Sequence, residues 1–377
     1  MSRKYDPALL EQIVKNQHTE TVEGVPILIK PIPEGGEDGD MDPRVYKSMK
    51  SASLAMGVMN LLPKSKKTKT PLETVLPLRK MFGEYKGAYI ADEGVACEEV
   101  RVASADGCEV PMRVYTRENH GENLPVFVYY HGGGFFGGGP DIVEQMCKLL
   151  VQQLDCVAFN IDYRLCPESH YPQPLDDCWY ATRWIFAHAA DSGGDPNRLA
   201  VAGDSAGGNL AAVITLRDRE EKTGMVKLQV LLYPAVNIAG VPTEFYKGVD
   251  ASRYQCSPRH EKTIKAVLAL MTSSLGGGGT NMLDDVYLQG YLDPQHIYAS
   301  PLLDDFHSLP PTLLIFGEHD FLAFEDFAYA QTAHKAGVQL KTIVYRGLGH
   351  GFADQIGVQP QAEDCMREIA AYMHEIL

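Results

Sequence analysis

The sequence lacks the long apolar runs that would place it in or across a membrane. No window contains about 18 uninterrupted apolar residues, so we expect no transmembrane helix and no stable membrane insertion. The opening residues, MSRKYDP, are not followed by the apolar stretch that a secretory signal requires. The expected location is therefore cytoplasmic.

Motifs for disulfides and metals are also missing. The eight cysteines are scattered and none forms a CxxC pair. With no export signal, we expect reduced thiols, several of them buried in apolar runs. There is no HExxH motif or other metal-ligand spacing, so we predict no metal and no cofactor.

Positive charge is scarce relative to negative charge. The sequence has 34 Lys and Arg residues and 49 Asp and Glu residues, which gives a net charge of −15. Such a surface repels phosphate backbones, so nucleic acid is not an expected partner. The 377 residues, 45% hydrophobic and 22% charged, can bury a large core, which excludes a disordered tail or a small disulfide scaffold. A homodimer is kept open beside a monomer.

From about residue 96 onward, short β-rich runs alternate with stretches of helical length. This alternation predicts an α/β protein with a mostly parallel eight-stranded sheet, helices on both faces, and one antiparallel hairpin at its start. The strands are predicted at Glu98–Ser104, Val110–Thr116, Val126–Tyr130, Val157–Ile161, Leu199–Ala202, Gln229–Tyr233, Thr312–Phe316 and Lys341–Tyr345.

Two segments interrupt this alternation. Residues 1–95 contain helical patterns over Pro43–Leu62 and Leu72–Phe82, separated by loops. Residues 237–297 separate two predicted strands and contain four consecutive glycines at 276–279, which mark a loop. The chain therefore divides into a strand–helix core, one piece that precedes it and one piece inserted into it.

The first chemical signal is the glycine-rich run HGGGFFGGG at residues 131–139, directly after a predicted strand. It matches GxGxxG, the dinucleotide-binding fingerprint, and Asp162 ends the next strand. It also matches the HGGG loop whose backbone N–H groups bind a substrate oxyanion. Taken alone, the run leaves both interpretations open.

The second signal is GDSAGGN at residues 203–209, between a predicted strand and a predicted helix. This is GxSxG in the strand–turn–helix setting that exposes a serine nucleophile above a sheet. Gly203, Ala206 and Gly207 are small enough for the sharp turn that Ser205 requires. The helix that follows places its positive N-terminus beneath the serine.

A serine hydroxyl needs a base, and the base needs an orienting acid. The strand Thr312–Phe316 is followed by Glu318 and Asp320, and the strand Lys341–Tyr345 by His350 in a glycine-rich loop. An acid and then a histidine, each past the carboxyl end of a strand, is the required arrangement.

These motifs together resemble the hormone-sensitive-lipase family of α/β-hydrolase carboxylesterases. The matching pieces are residues 131–135, 203–209 and 349–352, with Asp162–Leu165, Pro167–Glu168 and Ser300–Leu302 in addition. The resemblance implies Ser205 as nucleophile, His350 as general base and Asp320 as acid. The implied oxyanion donors are the backbone N–H groups of Gly133, Gly134 and Ala206.

The resemblance covers residues 96–236 and 298–377, which it predicts to be the hydrolase core. Residues 1–95 and 237–297 are predicted to form a helical cap over the strand ends. Tyr246, Tyr254 and Tyr287 of the insertion are candidates for the acyl pocket, with core packing as the alternative. The segment Asp162–Glu168 is expected to hold its loop in place.

One departure from the family pattern concerns the acid. The family usually continues its acid as Asp-Pro-Leu with further acidic residues, whereas Asp320 is followed by Phe321. Glu318 and Asp326 are therefore the fallback acids.

The resemblance implies hydrolysis of short- to medium-chain acyl esters through an acyl-enzyme, with a small ester as the substrate. The alternatives are a non-catalytic small-molecule receptor on the same fold, a peptidase or amidase of the same fold, and a nicotinamide-dependent enzyme that uses the glycine-rich run.

Overall fold

The computed structural model describes residues 2–47, 49, 70–275 and 282–377. In these residues the strands are β1 (His18–Val22), β2 (Val25–Lys30), β3 (Val95–Ala103), β4 (Glu109–Arg117), β5 (Leu124–Tyr130), β6 (Val157–Ile161), β7 (Gly194–Asp204), β8 (Leu228–Leu232), β9 (Thr312–Gly317) and β10 (Leu340–Tyr345). The longer helices are α1 (Ala8–Asn16), α2 (Pro71–Phe82), α3 (Pro140–Gln153), α4 (Gln173–His188), α5 (Ala206–Glu221), α6 (Glu261–Leu275), α7 (Ala323–Lys335) and α8 (Pro360–Ile376). The glycine run 276–279 and most of the helical pattern predicted at Pro43–Leu62 lie outside the described residues.

The described strands form one sheet in the order β1-β2-β10-β9-β8-β7-β5-β6-β4-β3. All pairs from β2 through β10, β9, β8, β7 and β5 to β6 are parallel, and only the two outer ends of the sheet are antiparallel. The predicted α/β class with a mostly parallel sheet is confirmed. Strands β5, β6 and β8 are buried along their whole length, as expected for parallel strands covered on both faces.

The sheet has two more strands than the eight predicted, because residues 18–30 form a hairpin at one edge. Glu23 and Gly24 both have positive φ, 49° and 91°, as a two-residue type I′ turn requires. Val25, Ile27 and Ile29 are buried at alternate positions of β2, which pairs in parallel with β10. Residues 18–30, assigned from sequence to the cap, therefore lie in the core sheet. The Glu-Gly turn is a weaker hairpin signal than Asn-Gly or Asp-Gly.

The order of the central strands brings four loops together. Strands β10, β9, β8, β7 and β5 are parallel neighbours, so their carboxyl ends lie along one edge of the sheet. His131 follows β5, Ser205 follows β7, Asp320 follows β9 and His350 follows β10.

Among the described residues, no helix is long and apolar enough to cross a membrane.

A buried cation joins the N-terminal hairpin to the last helix. Lys30, at the end of β2, is fully buried, and its Nζ lies 3.0 Å from Asp364 Oδ2 and 2.5 Å from Glu368 Oε1 of α8. Tyr345 donates a hydrogen bond to Asp364 at 2.8 Å. Removing the cation leaves the buried Asp364 carboxylate without its counter-charge, which costs far more than losing a surface pair.

We predict that Lys30→Met lowers the free energy of unfolding by about 3 kcal/mol, measured by urea denaturation. Lys341→Met is the matched control, because Lys341 binds the same Glu368 at 2.8 Å from a side chain that is 30% exposed. It should cost less than about 1 kcal/mol. Equal losses in the two variants would contradict this account of the buried cation.

Candidate active site

Ser205 is the single residue between β7, which ends at Asp204, and α5, which begins at Ala206. Its backbone angles, φ 54° and ψ −116°, lie in a region that L-residues rarely adopt. Its N–H donates to the Leu232 carbonyl oxygen of β8 at 2.9 Å. The turn is therefore sharp, and the neighbouring strand holds it. Strained backbone angles of this kind cluster at functional sites.

The glycines beside Ser205 are required by close backbone contacts. A Cβ at Gly207 would lie 1.9 Å from the carbonyl oxygen of Tyr130 and 2.6 Å from that of His131. A Cβ at Gly203 would lie 2.2 Å from the carbonyl oxygen of Gly207. The first turn of α5 thus packs directly against the end of β5, where a side chain has no space.

The structure places His350 within hydrogen-bond distance of both Ser205 and Asp320. His350 Nε2 lies 2.9 Å from Ser205 Oγ, and His350 Nδ1 lies 2.9 and 3.0 Å from the two carboxylate oxygens of Asp320. An ionised carboxylate only accepts, so Nδ1 carries the proton in the neutral ring. Nε2 is then the acceptor, and the Ser205 hydroxyl donates to it.

The electrostatics of His350 result from two opposing effects. Burial lowers the pKa of His350, but the charge and hydrogen bond of Asp320 outweigh burial, so the pKa lies above its ordinary value of 6.5. The more distant carboxylates of Asp204 and Asp354 act in the same direction as Asp320. The site therefore stabilises an imidazolium at His350.

Two aromatic rings pack against the His350 imidazole. The Phe321 ring centroid lies 4.7 Å from the imidazole centroid, and the Tyr233 centroid lies 5.0 Å from it with the ring planes 64° apart. Such edge and tilted arrangements suit aromatic rings and restrict their rotation. The family departure at Phe321 thus supplies a packing contact to His350.

Asp320 is fully buried and is held through both its side chain and its backbone. The Leu322 N–H donates to Asp320 Oδ1 at 2.9 Å. The Tyr254 hydroxyl, from the predicted cap insertion, donates to the backbone carbonyl oxygen of Asp320. Leu322 therefore holds the side chain of Asp320, and Tyr254 holds its backbone.

The glycine-rich loop after β5 adopts backbone angles that few residues tolerate. Gly133 and Gly134 have φ of 116° and 61°, and Phe135 has φ of 64°. The backbone N–H groups of Gly133, Gly134 and Ala206 have no hydrogen-bond acceptor among the described residues. Unpaired N–H groups beside a serine turn are suited to bind a negatively charged oxygen.

Asp204 connects this loop to the serine turn. Its Oδ1 accepts hydrogen bonds from the Gly132 N–H at 2.8 Å and from the Tyr129 hydroxyl at 2.9 Å. Burial raises the pKa of Asp204, although these hydrogen bonds oppose the shift. Sequence reasoning gave Asp204 no role of its own, because its partners are a backbone group and a residue of β5.

Neither fallback acid bonds to His350. Glu318 accepts the Gly347 N–H at 2.9 Å, and burial raises the pKa of Glu318 to about 7. Asp326 is fully buried, neither of its oxygens has a partner among the described residues, and burial raises its pKa far above the ordinary value. Of the three candidate acids, Asp320 is the one that reaches His350.

The cap tyrosines singled out from the sequence are all buried. The Tyr287 ring stacks on Phe135 of the glycine-rich loop, with centroids 3.9 Å apart and planes 7° apart. Tyr246 is buried against the core, and Tyr254 contacts Asp320 as described above. All three side chains are packed, and Tyr254 and Tyr287 contact residues of the site.

The segment Asp162–Glu168 forms ion pairs that hold its loop. Arg164 bonds both oxygens of Asp177, at 2.8 and 2.6 Å, and Glu168 pairs with Arg79 of α2 at 2.7 Å. Arg79 was not identified from sequence, because its partners are distant along the chain. In the described part of the chain, no group of three or more His, Cys, Asp or Glu residues could hold a metal ion.

Comparison with known proteins gives consistent matches. A family model described as α/β-hydrolase fold matches residues 127–354. The chain is similar to carboxylesterase NlhH of Mycobacterium tuberculosis, with 34% identity over 267 residues, 71% of this chain and 78% of NlhH. Esterase LipI of the same organism is 31% identical over 240 residues, which cover 64% of this chain and 69% of LipI.

Solved structures of esterases resemble the fold over most of its length. The hyperthermophilic esterase from the archaeon Pyrobaculum calidifontis matches with a TM-score of 0.67 and 30% identity, covering 89% of this chain and 98% of that one. A thermostable esterase from Pseudomonas putida ECU1011 matches with a TM-score of 0.69 and 25% identity, covering 91% and 99%.

The close contacts at Gly207 predict a stability loss. Gly207→Ala should lower the free energy of unfolding in urea by about 2 kcal/mol, because the new methyl group must displace the Tyr130 backbone. Gly121→Ala is the control, since a Cβ there has its nearest neighbour at 3.7 Å. It should change stability by less than about 0.5 kcal/mol. A Gly207→Ala protein as stable as the control would refute the tight turn.

Proposed function

The chain belongs to the α/β-hydrolase family, among the carboxylesterases that resemble hormone-sensitive lipase, and from this premise we propose that Ser205, His350 and Asp320 form its catalytic triad. The family makes the chain a carboxylic ester hydrolase. The nicotinamide-dependent enzyme and the non-catalytic receptor are thereby set aside. The triad gives the mechanism by which this chain cleaves an ester.

One observation carries the proposal: the continuous hydrogen-bond path from Asp320 through His350 to Ser205. Each contact is 2.9–3.0 Å long, within the range for a nucleophile and its base. Asp320 fixes the tautomer that leaves Nε2 free to accept the serine proton. The raised pKa of His350 favours this proton transfer, because a stronger base takes the proton more readily.

In the first half of the reaction, Ser205 Oγ attacks the ester carbonyl carbon while its proton moves to His350 Nε2. The carbonyl π electrons move to the oxygen, which becomes a tetrahedral oxyanion. The C–O bond to the alcohol then breaks, and the leaving oxygen takes the proton from His350. Ser205 is left as an acyl ester.

In the second half, water attacks the acyl carbon while His350 removes its proton. The tetrahedral intermediate collapses, the bond to Ser205 Oγ breaks, and Oγ recovers the proton from His350. The carboxylic acid leaves. Asp320 stays ionised throughout and stabilises the imidazolium in both halves, rather than accepting a proton itself.

The backbone N–H groups of Gly133, Gly134 and Ala206 are the proposed oxyanion donors. Their lack of acceptors among the described residues and the position of Ala206 at the N-terminus of α5 support this role. A positively polarised helix start beside the nucleophile favours negative charge at that point. Donors fixed before the reaction stabilise the charge without reorganisation.

The substrates proposed are short- to medium-chain acyl esters, on the strength of the family likeness. The insertion 237–297, together with N-terminal residues beyond the β1–β2 hairpin, is proposed to cover the strand ends as a cap. Contacts that support this are the Tyr254 hydrogen bond to Asp320 and the stacking of Tyr287 on Phe135. The first contact is with a proposed triad residue, and the second is with the glycine-rich loop.

A series of p-nitrophenyl esters from acetate to palmitate, with one p-nitroanilide, tests the proposal. Wild type should turn over the shorter esters fastest and the anilide far more slowly, and Ser205→Ala should lower kcat on the order of 10⁶-fold. Activity of Ser205→Ala within tenfold of wild type would disprove the triad. A maximum at palmitate would disprove the chain-length proposal, and a preference for the anilide would favour an amidase.

The pH profile of kcat/KM gives a second test. His350 must be neutral to act as a base, so activity should fall as the pH drops through its pKa, with a midpoint above 6.5. Asp320→Asn removes the largest influence that raises this pKa, so the midpoint should move to lower pH than in wild type while kcat falls about 10⁴-fold.

The control for this profile is Asp326→Asn. Burial raises the pKa of Asp326 well above its ordinary value, and neither of its oxygens bonds to His350, so an amide of the same shape removes no contact with the base. Its midpoint should match that of wild type. A wild-type midpoint at or below 6.5, or an equal shift in Asp326→Asn, would contradict the assigned roles.

A further inference from the structure

The glycine-rich loop after β5 depends on outside contacts for its shape. Glycine has wide conformational freedom, and Phe135 adopts a φ of 64° that a bulky residue avoids without support. The Cys166 N–H donates to the Phe135 carbonyl oxygen at 2.9 Å, and the Phe135 ring stacks on Tyr287. These contacts fix Phe135, but they do not bond the peptide that follows Phe136.

Arg79 of α2 makes that remaining contact. Its Nε donates to the backbone carbonyl oxygen of Phe136 at 2.6 Å. The rest of the guanidinium is fixed by a two-point pair with Glu168, at 2.8 and 2.7 Å, and by a hydrogen bond to the Cys166 carbonyl oxygen at 2.6 Å. The side chain is one quarter exposed, so the planar group is held in a mostly enclosed position.

The peptide group whose carbonyl accepts the Arg79 hydrogen bond also donates a hydrogen bond to a second peptide group. The Phe136 carbonyl and the Gly137 N–H belong to one peptide unit, and this N–H donates to the Gly133 carbonyl oxygen at 2.9 Å. The Gly133 carbonyl belongs in turn to the peptide unit of the Gly134 N–H, a proposed oxyanion donor. Two peptide units therefore stand in series between the guanidinium and the oxyanion position.

Polarisation passes along this series of hydrogen bonds from Arg79 towards Gly134. Each hydrogen bond accepted by a carbonyl makes the N–H of the same peptide a stronger donor, because the peptide group is polarised along its length. A cation at the start makes the first hydrogen bond a charge-assisted one. Its effect increases the partial positive charge at the Gly134 N–H.

We propose that Arg79 is a positioning residue for ester hydrolysis, which fixes and polarises the Gly134 N–H through the Phe136–Gly137 and Gly133–Gly134 peptides. The proposal rests on the oxyanion hole of the proposed function. It gives α2, a helix that lies outside the hydrolase core, a role in transition-state stabilisation. Arg79 contacts neither the nucleophile nor the base.

A purely structural role for Arg79 makes different predictions. If Arg79 only tied α2 to the core, its loss would disturb substrate and transition-state binding alike. If Arg79 acts through Gly134, its removal weakens the binding of those bound species that carry an oxyanion. A trifluoromethyl ketone forms such a species with the serine nucleophile, whereas the methyl ketone of the same chain length binds without forming it to a comparable extent.

The experiment compares wild type, Arg79→Lys, Arg79→Met and the control Arg101→Met. Arg101 is a half-exposed surface arginine whose ion-pair partner among the described residues is the exposed Glu99. Arg79→Met should lower kcat and trifluoromethyl ketone affinity about tenfold each, less than the 10²–10³ loss for removing a donor itself. KM and methyl ketone affinity should stay within about twofold. Arg79→Lys, which keeps a charge but has no fork, should lie between wild type and Arg79→Met.

An unchanged ratio of the two ketone affinities in both Arg79 variants would overturn the proposal, as would an equal effect in Arg101→Met. If Arg79→Met does not fold, the ratio in Arg79→Lys decides alone. The Ser205→Ala variant distinguishes a failure of this inference from a failure of the proposed function. Tight trifluoromethyl ketone binding by Ser205→Ala would refute the triad, whereas its loss there with no effect at Arg79 refutes only the present inference.

Discussion

The close approach of the first turn of α5 to the end of β5 is the constraint on which the site depends. Only glycine fits at 207, where the Tyr130 carbonyl oxygen leaves no space for a Cβ. This contact places the serine turn beside the start of the glycine-rich loop, where Asp204 can bond the Gly132 N–H. Backbone packing thereby sets the proposed nucleophile beside the loop that carries two of the proposed oxyanion donors, before any substrate binds.

The proposed acid and base, Asp320 and His350, are contacted by residues that lie outside the core strands. Tyr254 of the insertion bonds the Asp320 backbone, and Phe321 and Tyr233 pack on the His350 ring. Through Tyr254, the insertion 237–297 therefore contributes directly to holding the proposed acid. The free energy of these contacts is used to hold geometry, which is what a triad needs in order to act as a unit.

Most of the core could be predicted from sequence, because buried parallel strands are continuous apolar runs and the motifs follow them directly. The turn around Ser205 and the order of Asp320 and His350 were readable for the same reason. The hairpin 18–30 was missed, since a short alternating strand after a Glu-Gly turn gives little signal. Arg79 was beyond sequence reasoning, because its acceptor is a backbone carbonyl 57 residues away.

The central claim is that Ser205 becomes covalently acylated, and trapping that bond tests it most directly. An organophosphate such as diethyl p-nitrophenyl phosphate transfers its phosphoryl group to an activated serine and stops there. After treatment, mass spectrometry of peptide digests should find one diethylphosphoryl adduct, on Ser205, with loss of esterase activity in proportion to labelling. An adduct on a different residue, or full inactivation with Ser205 unmodified, would contradict the account.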